Sequence, residues 1–199
     1  HLNGMFAIAL YDRVRQRVVL ARDHVGIKPL YYALDSQGLV FGSEIKVVLE
    51  SGRVARRLDV DGLAQFLSWE YVPGAGTLVR DIRRLEPARS LELDLATGRS
   101  TVRRFWDPLT AAGTAPVRTE AEWEDEVDAV VRRSVRSQLV SDVPLGAFLS
   151  GGVDSSLVVA AMGEAETFSI GFDDPSYNET QWSKRVADHL GVRHHVEII

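Results

Sequence analysis

The chain has 199 residues, 45% of them hydrophobic and 26% charged, a balance that specifies a folded globular protein of one large or two small domains. Its 23 basic and 28 acidic side chains leave a formal net charge of −5, against the basic surface that a nucleic-acid partner requires. There is no cysteine, which excludes disulfides, cysteine-held zinc and a catalytic thiol within these residues. No apolar run approaches the ~20 residues of a membrane helix, and no basic leader precedes an apolar core at the start, so a cytoplasmic location is expected. His1 runs almost directly into an apolar strand-like segment, and Val196–Ile199 ends inside another, so the chain reads as a piece of a longer protein.

In chain order, Met5–Tyr11 and Arg17–Ala21 are predicted strands. Leu30–Leu34 and Leu39–Phe41 form a predicted hairpin across Asp35-Ser36-Gln37-Gly38, where the glycine supplies a positive φ. Ser43 is the predicted cap of a short helix ending at Leu49, with Gly52 as the stop. A helix over Asp59–Trp69 follows, with Leu63, Phe66 and Leu67 on one face, and then the breaker Pro73-Gly74-Ala75-Gly76. Leu91–Leu95 alternates as a half-exposed strand does, turns at Ala96-Thr97-Gly98 and returns over Thr101–Trp106.

The Ala-, Thr-, Gly- and Pro-rich stretch 109–118 is the best linker. It divides the chain into a predicted domain at 1–108 and a second at 119–199. Past it the pattern becomes helix and strand in alternation. Thr119 and Glu122 make a capping box, and Trp123, Val127, Val130, Val131, Val135 and Leu139 recur at helical spacing. A strand over Leu145–Leu149, a helix reaching Met162, a strand over Thr167–Phe172, a helix with Asn178 and Gln181 at its start and Gly191 at its end, and a strand from His195 complete the series. Strand–helix–strand–helix–strand implies a parallel sheet with right-handed crossovers. The fold class is therefore α+β followed by α/β.

The chemistry concentrates in Ser150-Gly151-Gly152-Val153-Asp154-Ser155-Ser156, between a predicted strand and a predicted helix. That position lies at the carboxyl edge of a parallel sheet, where such folds take ligands. Gly151 and Gly152 let backbone approach an anion, the helix start adds free N–H groups and ~0.3–1 kcal/mol per charge from its dipole, and three serines add hydroxyl donors. Asp154 would repel a phosphate unless a cation lay between, and Mg²⁺ is the cation that carboxylates and phosphate oxygens share. No Lys or Arg occurs from Val143 to Met162, and no Walker-type Gly-x-x-x-x-Gly-Lys-Ser/Thr string is present. An ordinary strand–helix turn with Asp154 as a cap is the competing reading for the bare tripeptide, and the full seven residues in this setting weigh against it.

The run Ser141-Asp142-Val143-Pro144-Leu145-Gly146-Ala147-Phe148-Leu149 and the seven residues after it resemble the synthetase-domain signature of glutamine-hydrolysing asparagine synthetases. Thr167–Phe172 and His194-His195 resemble that family's next two strands. Upstream, Leu2–Ala7, Ala21–Tyr32 and Gly42–Lys46 resemble the later part of its glutaminase domain. The resemblance implies the later part of an N-terminal-nucleophile-type antiparallel β domain of the class II glutamine amidotransferases, then the start of an ATP pyrophosphatase (PP-loop, Rossmann-like) domain, both incomplete. It implies ATP and Mg²⁺, with Leu149, Ser150, Gly151, Gly152, Val153, Asp154, Ser155, Ser156 and Ile170 on the nucleotide, Leu149 and Ile170 against adenosine, and Asp154 on Mg²⁺ through pyrophosphate. The implied reaction makes asparagine from aspartate through β-aspartyl-AMP, with ammonia from glutamine.

The family's nucleophile is an N-terminal cysteine, which this chain lacks, so no catalytic residue of its own is expected and the piece alone should be inactive. The expected partners are the small molecules aspartate, glutamine and ATP, with no nucleic acid and no membrane, and a homodimer is a candidate assembly. A β-lactam synthetase-like or peptide-cyclising ligase is the alternative within this plan, and a catalytically dead nucleotide-binding scaffold the alternative outside it. His194-His195 are not read as a metal pair, because neighbours on a strand face opposite ways. Arg22-Asp23 is read as a structural ion pair or turn contact, Arg83-Arg84 as solvated surface, and Trp69, Trp106, Trp123 and Trp182 as core.

Overall fold

The computed structural model describes residues 2–111, 113, 116–174 and 176–199. The chain divides into two compact units, His1–Ala115 and Pro116–Ile199. Within the stretch read as a linker, residues 112, 114 and 115 lie outside the described residues, and its start carries a one-turn helix, Pro108–Ala111 (here α3).

The first unit holds two antiparallel sheets. One is ordered β1 (Ala7–Asp12), β2 (Arg17–Arg22), β6 (Arg89–Asp94), β7 (Ser100–Arg104). The other is ordered β4 (Gly38–Gly42), β3 (Tyr31–Asp35), β5 (Arg83–Arg84). The predicted alternation of β6 is present: Leu91 and Leu93 are buried while Glu92 and Asp94 are not. Leu91 pairs with Leu20, and these residues join Leu30, Tyr32 and Leu85 in one core. A second cluster, Ala33, Val48 and Ile82, lies beneath α1 (Ile45–Glu50). Asp59 caps α2 (Val60–Trp69) by accepting the Gly62 N–H.

Three local expectations change here. Helix α1 is flanked by Glu44, not Ser43, with no side-chain cap bond. Trp69 is 65% exposed, so its place on an apolar pattern did not bury it. Arg84 is not merely solvated: its guanidinium donates to the carbonyls of Val72 and Gly74 and pins the Pro73–Gly76 breaker.

The second unit contains α4 (Glu120–Ser137), β8 (Gly146–Phe148), α5 (Val153–Met162), β9 (Glu166–Gly171), α6 (Thr180–Leu190) and β10 (Arg193–Ile198). Its sheet is parallel, ordered β10-β9-β8, with Phe148 opposite Phe168 and Val196 opposite Ser169. Beyond β8 one more ladder bond continues, from Leu149 N–H to the Phe168 carbonyl at 2.9 Å. Leu149, Val159 and Ala187 form the core between strand and helices.

The capping box on α4 is complete, with Thr119 and Glu122 each accepting the other's N–H. The apolar stripe of α4 is not core, however. No residue of this helix is buried, and Trp123 and Val127 are 40% and 54% exposed, because α5 is the neighbour it has in this unit and covers only part of the stripe. Trp182 is likewise half exposed, its ring covered by the Arg185 guanidinium at 4.8 Å. Helix α6 begins one residue later than its sequence signal: Glu179 takes the cap position, while Asn178 accepts from the Thr180 N–H and hydroxyl. Gly191 ends it as expected, in a left-handed conformation.

Candidate functional site

The seven-residue segment lies where β8 hands over to α5. Gly151 has φ +86°, and a Cβ there would stand 2.5 Å from the Trp182 carbonyl carbon and 2.6 Å from the Ser183 nitrogen. Only glycine satisfies both the backbone conformation and that approach to α6. The turn is then stitched by hydroxyls. Ser150 Oγ accepts the Gly152 N–H at 3.2 Å and lies 3.0 Å from Ser155 Oγ. Ser155 and Ser156 both donate to the Gly152 carbonyl, at 3.2 and 2.7 Å.

What this stitching leaves free matters more. Among the described residues no hydrogen bond takes the backbone N–H of Gly151, Val153, Asp154 or Ser155. Three of these open α5, so their donors and the helix dipole face the same space. Asp154 is exposed on this first turn and makes no ion pair among the described residues.

Beside the loop is a cavity of about 200 Å³, lined among others by Leu149, Ser150, Ser169, Ile170, Thr180 and Ser183. Leu149 is 1% exposed and shared with the core, whereas Ile170 is half exposed. The structure therefore brings Leu149, Ser150 and Ile170 to one cavity and Gly151, Gly152, Val153, Asp154, Ser155 and Ser156 to the adjoining helix start. Among the described residues no basic side chain lines the cavity, and Glu179 adds a carboxylate to its wall. Among the described residues no cluster of three or more metal-ligating side chains occurs, so a cation here would need ligand oxygens beside Asp154.

The sequence reading missed Thr180 and Ser183. The signal existed: α6 follows β9 across an eight-residue connection and so also starts at the carboxyl edge of the sheet, on the side of the loop. His194 and His195 do face opposite ways. His195 stacks on Phe168 with centroids 4.9 Å apart. His194 turns inward, with Nδ1 at 2.9 Å from Thr167 Oγ1 and Nε2 at 3.2 Å from Ser183 Oγ and 3.4 Å from Ser169 Oγ. Burial, and to a lesser degree the neighbouring His195, holds its pKa below the ordinary imidazole value against a smaller upward pull from Asp188.

In the first unit, Arg22 and Asp23 are both buried but are not an ion pair. Arg22 donates to the carbonyls of Gly26, Lys28 and Leu85 at 2.6–2.7 Å. Asp23 accepts from the N–H groups of Ile27 and Lys28 at 2.9 Å and of Phe6 and Val25 at 3.3 Å. Burial alone would push its carboxyl up, but N–H donors led by Lys28, Ile27 and Phe6 outweigh it and hold the pKa below the ordinary aspartate value.

The molecule is thus a unit of two antiparallel sheets followed by a parallel strand–loop–helix unit whose loop leaves N–H donors untaken among the described residues. The family model described as glutamine amidotransferase domain matches residues 1–106, and that described as asparagine synthase matches residues 126–199. The chain belongs to the glutamine amidotransferase domain family, and its second part matches the asparagine synthase model that follows in sequence. It is 32% identical to asparagine synthetase (glutamine-hydrolyzing) 1 of Bacillus subtilis strain 168, over 100% of this chain and 31% of that protein. Asparagine synthetase (glutamine-hydrolyzing) 3 of the same organism is 30% identical over 100% of this chain and 35% of its own length. A protein of Gibberella zeae named amidase chry2 is 29% identical over 98% of this chain and 31% of its own length. The chain thus spans about a third of the length of the curated relatives it matches. Among the described residues no helix is long and apolar enough to cross a membrane.

Proposed function

We propose that these residues are the junction segment of a glutamine-dependent, ATP-using amide ligase that makes asparagine from aspartate. The first unit is the later part of an N-terminal-nucleophile-type glutaminase domain, and the second is the start of a PP-loop domain. The carrying observation is the unclaimed row of N–H donors at Gly151 and Val153–Ser155, next to a cavity with an apolar wall.

In this reading the β- and γ-phosphates of ATP lie on the loop, and Leu149 and Ile170 receive the adenosine. An aspartate carboxylate oxygen attacks the α-phosphorus, pyrophosphate leaves, and β-aspartyl-AMP forms. Ammonia released from glutamine then adds to the activated carbonyl, loses a proton and expels AMP. Asp154 is the protein group that would hold Mg²⁺, and the ion would supply neutralisation of the phosphate charge that no basic side chain from Val143 to Met162 meets. The loop's own contribution is to orient and stabilise the departing pyrophosphate through its N–H groups and hydroxyls. With no cysteine among the 199 residues, ammonia does not arise from a thiol of this segment.

The test is Asp154→Ala in the full-length enzyme. Aspartate- and ATP-dependent pyrophosphate release falls by about two orders of magnitude or more, while glutamine hydrolysis continues. Pyrophosphate release at a near wild-type rate would overturn the loop assignment. The same assay run with other carboxylates addresses the acceptor. One relative is named as an amidase and not as an asparagine synthetase, so an acceptor other than aspartate, as in a β-lactam synthetase-like or peptide-cyclising ligase, is the second reading. Activity with a carboxylate other than aspartate, and none with aspartate, would select it.

A further inference from the structure

Behind the cavity, hydroxyl protons are scarce, and counting them assigns the His194 ring. Thr167 Oγ1 lies 2.9 Å from the Arg193 carbonyl, which can only accept, so the Thr167 proton goes there and its oxygen takes the Nδ1–H of His194. Ser169 spends its single proton on the Leu149 carbonyl. The Ser183 hydroxyl lies 3.1 Å from the Thr180 carbonyl, which as part of α6 already has the helical N–H of residue 184 in reach. Ser183 is therefore the hydroxyl free to turn toward His194 Nε2, the one acceptor on the neutral ring.

These contacts converge on the loop. The Ser183 backbone is the surface on which Gly151 packs, and Ser169 holds the carbonyl of Leu149, two residues before it. His194 donates to Thr167 through Nδ1 and accepts from Ser183 at Nε2, tying β10 to β9 and to α6 where the loop rests on that helix.

We propose that His194 is a positioning residue for the phosphate loop, acting through the Ser183 hydroxyl on the first turns of α6, against which the Gly151 backbone packs. This rests on the nucleotide reading above. It assigns a specific edge of the ring, Nε2, to that task, and leaves Nδ1 as a stitch between strands.

The two amide side chains separate the edges. Glutamine at this position carries its amide out to the reach of Nε2, and asparagine only to that of Nδ1. In the full-length enzyme His194→Asn raises the KM for ATP on the order of tenfold, as loss of a supporting contact behind a ligand group does, with a smaller change in kcat. His194→Gln stays within about twofold of wild type in KM. Ser183→Ala, which keeps the histidine and removes its partner, reproduces the rise in KM. Thermal unfolding is followed in parallel. Equal KM values for the asparagine and glutamine variants, or a loss of stability with KM unchanged in all three, overturn the inference and leave the nucleotide reading standing. A wild-type enzyme that releases no pyrophosphate from ATP overturns the reading and the inference with it.

Discussion

At residues 23–28 the chain closes around an anion of its own, the Asp23 carboxylate, whose oxygens take the N–H groups of Phe6, Val25, Ile27 and Lys28. At residues 150–156 it forms a second concave run of donors after a strand, but no side chain of the described residues fills it. Both turns follow a strand end, and both gather backbone N–H groups around a point. The first is buried and satisfied, so it serves stability. The second is exposed and carries its acid on the outside, as the nucleotide-binding role proposed above requires. Donor geometry alone therefore does not mark a binding loop, and whether the chain's own side chains take the donors tells the two apart.

The comparison can be broken from either side. The largest effect is expected from Gly151→Ala, whose methyl would meet the Trp182–Ser183 backbone at a φ of +86°. Displacing the loop by about an ångström costs on the order of a hundredfold in ATP-dependent turnover, measurable as pyrophosphate release, with glutamine hydrolysis as the internal control. Asp23→Ala should leave nucleotide affinity alone and destabilise the first unit by about 1–3 kcal/mol, since it removes the buried carboxylate that takes four partly buried N–H groups. Chemical denaturation followed by a first-unit probe reads this directly. If Asp23→Ala instead weakens ATP binding without unfolding the first unit, the distinction between the two turns collapses.

The pH dependence sharpens the same point. The folded-state pKa of Asp23 is depressed, so its contribution to stability is complete above the ordinary aspartate value and is lost as pH falls below it toward the folded value. Wild type should therefore lose more stability than Asp23→Asn between mildly and strongly acidic pH. The smallest effect is expected from Thr119→Ala, which opens the capping box of α4 and costs about 1 kcal/mol without touching either turn.

Much of this was legible locally. The Thr119–Glu122 box, the Asp35–Gly38 turn, the alternation of Leu91 and Leu93 and the strand–loop–helix around Ser150 each depend on residues a few positions apart. The turn contact at Asp23 was legible, because Val25, Ile27 and Lys28 stand two to five residues away, whereas its bond to Phe6, 17 residues back, was not. The setting of His194 was not legible, because Ser183 and Thr167 stand 11 and 27 residues away and meet it only in the folded unit. The helix starts at Ser43 and Asn178 were each placed one residue early, since several polar residues competed for one cap. The tryptophans misled for a different reason: helical spacing reports which face is apolar, not what covers it, and within their own units the faces of α2, α4 and α6 that carry Trp69, Trp123 and Trp182 are only partly covered.

The contact between Gly151 and α6 has a thermodynamic consequence. A loop whose backbone rests on a helix has few conformations left to lose. Its ordering entropy disappears when the chain folds, not when an anion arrives, so binding free energy is not drawn down to shape the cradle. The free state should already hold the donors in place, and affinity for the phosphates then depends on how firmly α6 is seated.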